Sequence, residues 1–167
     1  MIRIIDNFFE DKDLRTIQNF ALTKAFYTPR FLSNSPEKTD KYSYGSRWPL
    51  NNDIKLLKMF TEQTELKFKI KIKELHVDSG IDQRKLTIFK PHIDEGSVLN
   101  MLVMLSGPTA VTNGTVFYTD GNLDIHVGFK ENRAILFPSY KFHSPHANEE
   151  SNITRYSATL FINDYEE

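Results

Sequence analysis

The hydrophobic and polar positions divide the chain into an N-terminal part with helical spacing and a longer part with alternating spacing. Residues 1–5 alternate weakly, as in a short strand. Apolar residues from Leu14 to Ala21 then recur on one helix face, after Asp11 or Asp13 as the cap. An asparagine cap and renewed helical spacing predict a second helix from Asn51 to Glu65.

From Leu66 onward the period becomes two, and apolar residues alternate with the lysines from Lys67 to Lys73. Gly, Pro, Asn and Asp separate the further predicted strands, which are Arg84 to Phe89, Val98 to Leu105, Thr115 to Thr119, Ile125 to Phe129, Arg133 to Phe137, Lys141 to Ser144 and Thr154 to Ile162. Two helices followed by about eight strands predict a mainly β protein, a sandwich or jelly roll backed by helices.

The length of 167 residues predicts one domain, 1–167. Within it, residues 1–65 would supply the N-terminal helices and residues 66–167 the jelly-roll core. The segment from Tyr27 to Leu50 is rich in Pro, Ser and Asn with interleaved aromatic residues, which is typical of a long irregular loop. We interpret this segment either as a lid that recognises substrate or as a disordered connector.

Composition restricts the chemistry more than it identifies it. Lys plus Arg (21) nearly equals Asp plus Glu (22), so net charge favours neither nucleic acid nor an anionic membrane as a partner. There is no cysteine, which excludes disulfides, thiolate zinc sites and a thiol nucleophile, so a bound metal would need His and carboxylate ligands. Early charged residues and the lack of an 18-residue apolar run predict a cytoplasmic protein.

The stretch FKPHIDEGSVLN contains a candidate pair of metal ligands. His92 and Asp94 are two residues apart, so in an extended segment both side chains point to the same side. A second pair of the same type, His76 and Asp78, occurs in HVDSG, which we interpret as a hairpin bend. Either pair alone also fits a hydrogen-bonded turn.

Residues that could complete such a site follow downstream. His143 lies in FPSYKFHSPH and would give a two-histidine, one-carboxylate face with open coordination positions. Arg155, Ser157 and Thr159 share one face of the last predicted strand. A guanidinium beside two hydroxyls can bind a terminal carboxylate.

In this order, the motifs PHIDEG, NGTVFY, NRAILFPSYKFHS and RYSATLF resemble the 2-oxoglutarate- and Fe(II)-dependent dioxygenases, over about residues 80–165. The opening IRIIDNFFEDKDLRTIQNFA is similar to the prolyl 4-hydroxylase-like branch of that superfamily. The resemblance implies a double-stranded β-helix, which is a jelly roll, backed by two helices. It also implies that His92, Asp94 and His143 bind Fe(II), and that Arg155 with Ser157 binds 2-oxoglutarate, with O₂ as the second cosubstrate.

Other positions keep two interpretations. His146 competes with His143 as the distal ligand, and His143 is preferred because Pro145 would disturb the strand beneath His146. Asn100 either contacts the cosubstrate or satisfies a buried backbone group. The candidate substrate-binding residues are Tyr42, Tyr44, Arg47, Trp48 and Tyr118.

The resemblance implies a hydroxylase with no catalytic residue beyond the metal ligands, acting on a peptide, a protein or a free amino acid. Nucleic-acid demethylases of the superfamily carry a second arginine six residues after the first, where this chain has Phe161, so nucleic acid is disfavoured as a substrate. A small metabolite is another candidate substrate. A cupin-like binding protein without catalysis is the alternative class.

Overall fold

Eleven strands and two helices are present in the part of the chain that this computed structural model describes, residues 1–31, 43–84, 91–109, 113–146 and 154–167. The helices are α1 (Asp11–Thr23) and α2 (Ile54–Phe68), and a turn of 3-10 helix (Leu50–Asn52) precedes α2. The strands are β1 (Arg3–Ile5), β2 (Thr28–Phe31), β3 (Ser43–Pro49), β4 (Lys71–Leu75), β5 (Gly80–Arg84), β6 (Leu99–Ser106), β7 (Gly114–Thr119), β8 (Asn122–Gly128), β9 (Ala134–Pro138), β10 (His143–His146) and β11 (Arg155–Glu166).

The strands form two antiparallel sheets that share a core. The large sheet has the order β1-β9-β6-β11-β5-β3-β2, with β4 also paired to β11, and the small sheet has the order β10-β7-β8. Met104, Phe117 and Phe137 are buried between the two sheets. The helices cover the other face of the large sheet, where Ile17 and Phe60 are fully buried. The predicted fold, a jelly roll backed by two helices, is confirmed.

Strand β11 serves both faces of the large sheet because its side chains alternate. The even-numbered residues from Ala158 to Ile162 are buried in the core beneath the helices. The odd-numbered residues from Arg155 to Phe161 line a cavity on the other side. One strand therefore supplies both helix packing and the wall of a candidate site.

The caps differ from those predicted. Helix α1 begins at Asp11, which lies in its first turn together with Asp13, and neither is the cap residue. Helix α2 is capped by Asp53, whose carboxylate accepts hydrogen bonds from the backbone N–H groups of Lys55 and Leu56 at 2.9 and 3.0 Å. The prediction of an asparagine cap was wrong, because residues 50–52 form the separate 3-10 turn.

The prediction of an irregular loop from Tyr27 to Leu50 was also wrong in part. Residues Thr28–Phe31 form β2 and residues Ser43–Pro49 form β3, and the two strands pair with each other. Strand β3 also pairs with β5, so both strands extend the large sheet. The residues between β2 and β3, including Tyr42, lie outside the described residues.

Alternation began later than predicted after the second helix. Phe68 is the last residue of α2, and Lys69 adopts a left-handed conformation (φ 54°) that ends the helix. Strand β4 starts only at Lys71. Phe68 at the end of the helix and Ile70 just before the strand are both buried. The hydrophobic pattern therefore did not show where the helix ends and the strand begins.

The HVDSG stretch is a bulge rather than a hairpin bend. Strands β4 and β5 both pair with β11 along the same edge, at Ile162 and at Thr159 respectively. Residues 76–79 lie between them and stay attached to β11, because Phe161 accepts a backbone hydrogen bond from His76 and donates one to the Ser79 hydroxyl. The bulge brings His76 and Asp78 to the cavity.

Most later strands agree with their predictions to within about three residues. Strands β6 to β11 match the predicted segments from Val98 to Ile162 in order, although β11 continues to Glu166. The strand predicted from Arg84 to Phe89 falls mostly outside the described residues, and Arg84 itself ends β5.

Neither α1 nor α2, the helices of the described part of the chain, has the length and apolar character that a membrane crossing requires.

Asn132 anchors the N-terminal segment to the jelly roll. Its side chain accepts a hydrogen bond from the Phe9 backbone N–H and donates one to the Phe9 carbonyl, both at 2.8 Å and buried. Its backbone has φ 64°, a conformation that asparagine tolerates better than most residues. The Arg133 side chain beside it pairs with Asp6 at 2.6 Å.

We expect Asn132→Ala to lower the free energy of unfolding by about 3 kcal/mol, because two buried backbone groups of Phe9 lose their partners. Asn19→Ala is the control, since Asn19 is exposed on α1 and should change stability by less than about 0.5 kcal/mol. Urea unfolding followed by circular dichroism measures both. Equal midpoints for the two variants would contradict the anchoring role.

Candidate metal centre

Backbone pairing holds the predicted metal ligands together. His92 and His143 form an antiparallel bridge in which each backbone N–H donates to the other carbonyl at 2.9 Å. The Asp94 N–H donates to the Ser139 carbonyl at 3.1 Å. The segment before β6 is therefore attached to the start of β10, and three side chains from two distant parts of the chain meet.

The three side chains can share one ion. One ligating atom from each of His92, Asp94 and His143 lies within 4.8 Å of the others. The Nε2 atom of His143 is 3.3 Å from Oδ2 of Asp94, and Nε2 of His92 is 3.7 Å from Oδ1. No other group of three potential ligands is this close among the described residues.

Neighbouring groups orient the ligands. Nδ1 of His143 donates to the Lys141 carbonyl at 2.9 Å, which directs Nε2 toward Asp94. The fully buried Asn100 donates from its amide to Oδ2 of Asp94 at 2.6 Å, and its own amide oxygen accepts from the Ser97 hydroxyl at 2.9 Å. Asn100 therefore contacts a ligand and not a backbone group, and it does not line the cavity.

The carboxyl of Asp94 is kept in its charged form. Burial alone would raise its pKa, but the hydrogen bond and charge of His143, followed by the charges of His92 and Arg47, lower the pKa below its ordinary value. An ionised carboxylate beside two imidazoles is the donor set that divalent first-row metals bind.

A cavity of about 500 Å³ opens over the three ligands, between the two sheets. Apolar side chains on its small-sheet and β9 sides include Phe137 and Pro145. On the β11 side it is lined by Arg155, Ser157 and Thr159, the three residues that the sequence predicted on one strand face. The metal ligands and this strand face therefore share one cavity.

Arg155 is a buried cation, 6% exposed, at one end of this cavity. Its Nη1 donates to the side-chain oxygen of Asn113 and to the Gly114 carbonyl, both at 2.9 Å, and its guanidinium lies 5.8 Å from the Phe129 ring. None of the ion pairs among the described residues includes Arg155. Burial, and then the charge of Arg84, lower its pKa to about 9.

The competing histidines are not part of the ligand group. His146 is exposed and its ring lies 5.2 Å from that of His126, so the structure brings His143 and not His146 to Asp94. His76 lines the same cavity, but its Nδ1 contacts its own bulge, accepting from the Asp78 backbone N–H at 3.2 Å.

The candidate substrate-binding residues differ in whether they line the cavity. Arg47 lines the cavity and is bound by Asp82 through two hydrogen bonds of 2.7 Å. Trp48 does not line it, because alternation along β3 turns its side chain to the helix side, where it packs 4.6 Å from the Phe20 ring. Tyr118 does not line it either: its hydroxyl is 3.0 Å from that of Ser144, and β7 instead turns the neighbouring Thr115 and Phe117 inward.

Tyr42 lies outside the described residues, and Tyr44 lies in β3. Sequence reasoning missed Arg84, which lines the cavity from β5. It also missed two residues that hold cavity arginines: Asn113 accepts a hydrogen bond from Arg155, and Asp82 accepts two from Arg47. The motif NGTVFY contains Asn113, but its side-chain role depends on β7 facing β11, which no local pattern encodes.

Neither a protein-family model nor a curated protein matches the chain. Solved structures do match its fold over almost its whole length. The chain has the fold of prolyl hydroxylases and of non-heme alpha-ketoglutarate-dependent enzymes, as predicted from its motifs.

A prolyl hydroxylase from Trichoplax adhaerens, in complex with a peptide fragment of the hypoxia inducible factor oxygen degradation domain, matches with a TM-score of 0.71 and 15% identity, over 98% of this chain and 83% of that one. The epimerase SnoN, in complex with Fe3+, alpha ketoglutarate and nogalamycin RO, matches with 0.65 and 10%, over 99% and 78%. A Pseudomonas putida prolyl-4-hydroxylase matches with 0.56 and 9%, over 97% and 91%. At these identities the likeness is one of fold.

We expect Asp94→Ala to abolish high-affinity binding of Co(II), used as an air-stable probe of the metal centre, because it removes the only anionic ligand of the group. Asn100→Ala should weaken binding about 10- to 100-fold, because Asp94 loses the donor that orients it. Isothermal titration calorimetry measures both. The matched control is His126→Ala, which removes a histidine outside the group; an equal loss there would contradict the assignment.

Proposed function

We propose that the protein is a 2-oxoglutarate- and Fe(II)-dependent dioxygenase that hydroxylates an unactivated C–H bond. The observation that carries this proposal is one cavity that holds both a two-histidine, one-carboxylate group and a buried arginine. A metal site alone would fit many activities. A metal site beside a buried arginine fits an acid that chelates the metal at one end and carries a second anionic group at the other.

The donor set is compatible with Fe(II). Two imidazoles and one carboxylate on one face leave coordination positions open, as in non-heme iron oxygenases. His92, Asp94 and His143 would hold the ion, and Asn100 would act through Asp94 as a positioning residue instead of contacting the cosubstrate.

Arg155 is compatible with the far carboxylate of 2-oxoglutarate. A buried guanidinium is costly unless an anion or several acceptors compensate for it, and its acceptors among the described residues are all neutral. A carboxylate would complete its hydrogen bonding in the bidentate geometry that guanidinium favours. Ser157, two residues along the same strand face, would donate its hydroxyl to the same anion.

When bound, Fe(II) and 2-oxoglutarate together activate O₂, so that the substrate gains a hydroxyl group and the cosubstrate leaves as succinate and CO₂. The chain's own residues bind, orient and shield. Arg155 and Ser157 would fix the cosubstrate at one end of the cavity and the three ligands would fix the other. Phe137 and Pro145 would keep water from the reacting centre.

For the substrate, we propose a peptide, a protein side chain or a free amino acid, as in prolyl 4-hydroxylation. The support is the fold shared with two prolyl hydroxylases, one of them bound to a peptide. Phe161 lines the cavity at the position where nucleic-acid demethylases carry a second arginine, which counts against a nucleic-acid substrate.

Anaerobic titration of the Fe(II) protein with 2-oxoglutarate tests the proposal. A weak visible charge-transfer band should appear, because it requires a keto acid chelated to the ion. A cupin-like binding protein that does not use 2-oxoglutarate would give no band. Absence of the band in the unaltered, iron-loaded protein would overturn the proposed function.

We expect Arg155→Gln to weaken 2-oxoglutarate binding on the order of 10- to 100-fold while metal binding stays unchanged, because only the far carboxylate loses a charged partner. The titration midpoint of the charge-transfer band measures the first effect and Co(II) calorimetry measures the second. Arg15→Gln removes the same charge from the exposed face of α1 and is the matched control. A normal midpoint in Arg155→Gln would contradict the cosubstrate role.

A further inference from the structure

Three arginines lie in one row across the cavity face of the large sheet. Arg155 on β11 pairs with Arg84 on β5, and Arg30 on β2 pairs with Gly45 on β3. Gly45 lies against Arg84, since a Cβ there would be 3.1 Å from Cγ of Arg84. The row therefore runs Arg155, Arg84, Gly45, Arg30, and all three arginines line the cavity.

The adjacent row supplies a fourth guanidinium and one buried carboxylate. Arg47, Asp82 and Ser157 are in register on β3, β5 and β11. Asp82 binds Arg47 through both carboxylate oxygens, and the charges of Arg47, Arg84 and Arg30 together lower its pKa although burial raises it. One buried carboxylate thus lies among several cations.

Among the described residues, four arginines line the cavity from the large sheet. Three carboxylates of the same part of the chain, Asp78, Asp94 and Glu95, line it as well, and Asp78 is 3.6 Å from Arg30 and more than half exposed. Asp94 belongs to the metal-ligand group and Asp82 is bound to Arg47. The charge of Arg84 also disfavours the cationic form of Arg155 beside it. Like charges held close in a partly dry cavity attract an anion.

We infer that the molecule on which the site acts carries an oxyanion, a carboxylate or a phosphate, that binds to Arg84 and Arg30. The description of that molecule as the substrate rests on the proposed function. The anion site itself rests only on the arginine row.

Position separates this anion from the cosubstrate. Arg155 lies on the central strand β11, whereas Arg84 lies one strand and Arg30 three strands farther toward the sheet edge, about 5 and 14 Å away at ordinary strand spacing. Because Gly45 has no side chain, the Arg84 side chain packs over it, with Cγ 3.1 Å from where a Cβ would lie. An anion in the cavity beyond Arg84 and Arg30 would reach both guanidinium groups while the far carboxylate of 2-oxoglutarate stays at Arg155.

Nuclear magnetic resonance of the arginine Nε–Hε groups tests this inference in protein loaded with Zn(II) and 2-oxoglutarate. The protein is titrated with acetate and with methyl phosphate at constant ionic strength. The signals of Arg84 and Arg30 should shift and saturate, whereas that of Arg15 should not. Tighter binding of acetate identifies a carboxylate, and tighter binding of methyl phosphate identifies a phosphate.

Variants show which arginines bind the anion. Arg84→Gln should weaken binding of the preferred anion about tenfold or more, Arg84→Lys should retain part of it, and the charge-matched control Arg15→Gln should leave it unchanged. If Arg84→Gln does not fold, Arg84→Lys and Arg30→Gln decide the question. A shift that never saturates would overturn the inference. So would a loss of 2-oxoglutarate affinity in Arg84→Gln as large as that in Arg155→Gln.

The two proposals can fail separately. Absence of the charge-transfer band in the unaltered protein would overturn the dioxygenase function. The same anion titration on metal-free protein would still show whether Arg84 and Arg30 bind an oxyanion. A normal band without saturable anion binding would leave the dioxygenase and remove the anionic substrate.

Discussion

The pair of backbone hydrogen bonds between His92 and His143 is the constraint on which the candidate centre depends. It joins the segment before β6, a strand of the large sheet, to β10, an edge strand of the small sheet. Side chains on rotatable bonds would not hold three ligating atoms within 4.8 Å by themselves. The ladder fixes the two histidines, and Asp94 follows because Ser139 holds its backbone. The main chain thus brings the three ligands together, and contacts such as that of Asn100 with Asp94 then orient their side chains.

The second constraint is the burial of charge at the opposite end of the cavity. Arg155 is fixed by an amide oxygen and by backbone carbonyls, none of which neutralises it. Arg47, by contrast, is matched by Asp82 with two hydrogen bonds. The chain therefore contains two buried arginines in different electrostatic states, one compensated within the fold and one suited to an external anion. This contrast distinguishes an arginine that is neutralised by a carboxylate of the fold from one whose acceptors are neutral, although both lie on the same sheet.

Most of the jelly roll was predictable, because strands with one buried face alternate visibly and turn residues separate them. The ligand group was predictable as well, since His92 and Asp94 share a strand face and His143 follows a recognisable buried strand. Strands β2 and β3 were missed because their prolines and serines suggest a loop, and their pairing with β5 is a long-range effect. The bulge at residues 76–79 was missed for a similar reason: turn residues look alike whether the chain reverses or continues along the same partner strand. That Trp48 and Tyr118 do not line the cavity could not be read from the sequence, because an aromatic residue fits a core and a pocket equally well.

The alternation along β11 has a consequence for how this protein can diverge. Its even-numbered side chains, from Ala158 to Ile162, are buried in the hydrophobic layer under the helices, whereas its odd-numbered ones, from Arg155 to Phe161, lie on the cavity side. Replacements at odd positions change the cavity lining and leave the helix-side core intact, but deletion or insertion of a single residue would exchange the two sets. The strand can thus acquire new specificity by substitution, while its length and phase must stay constant.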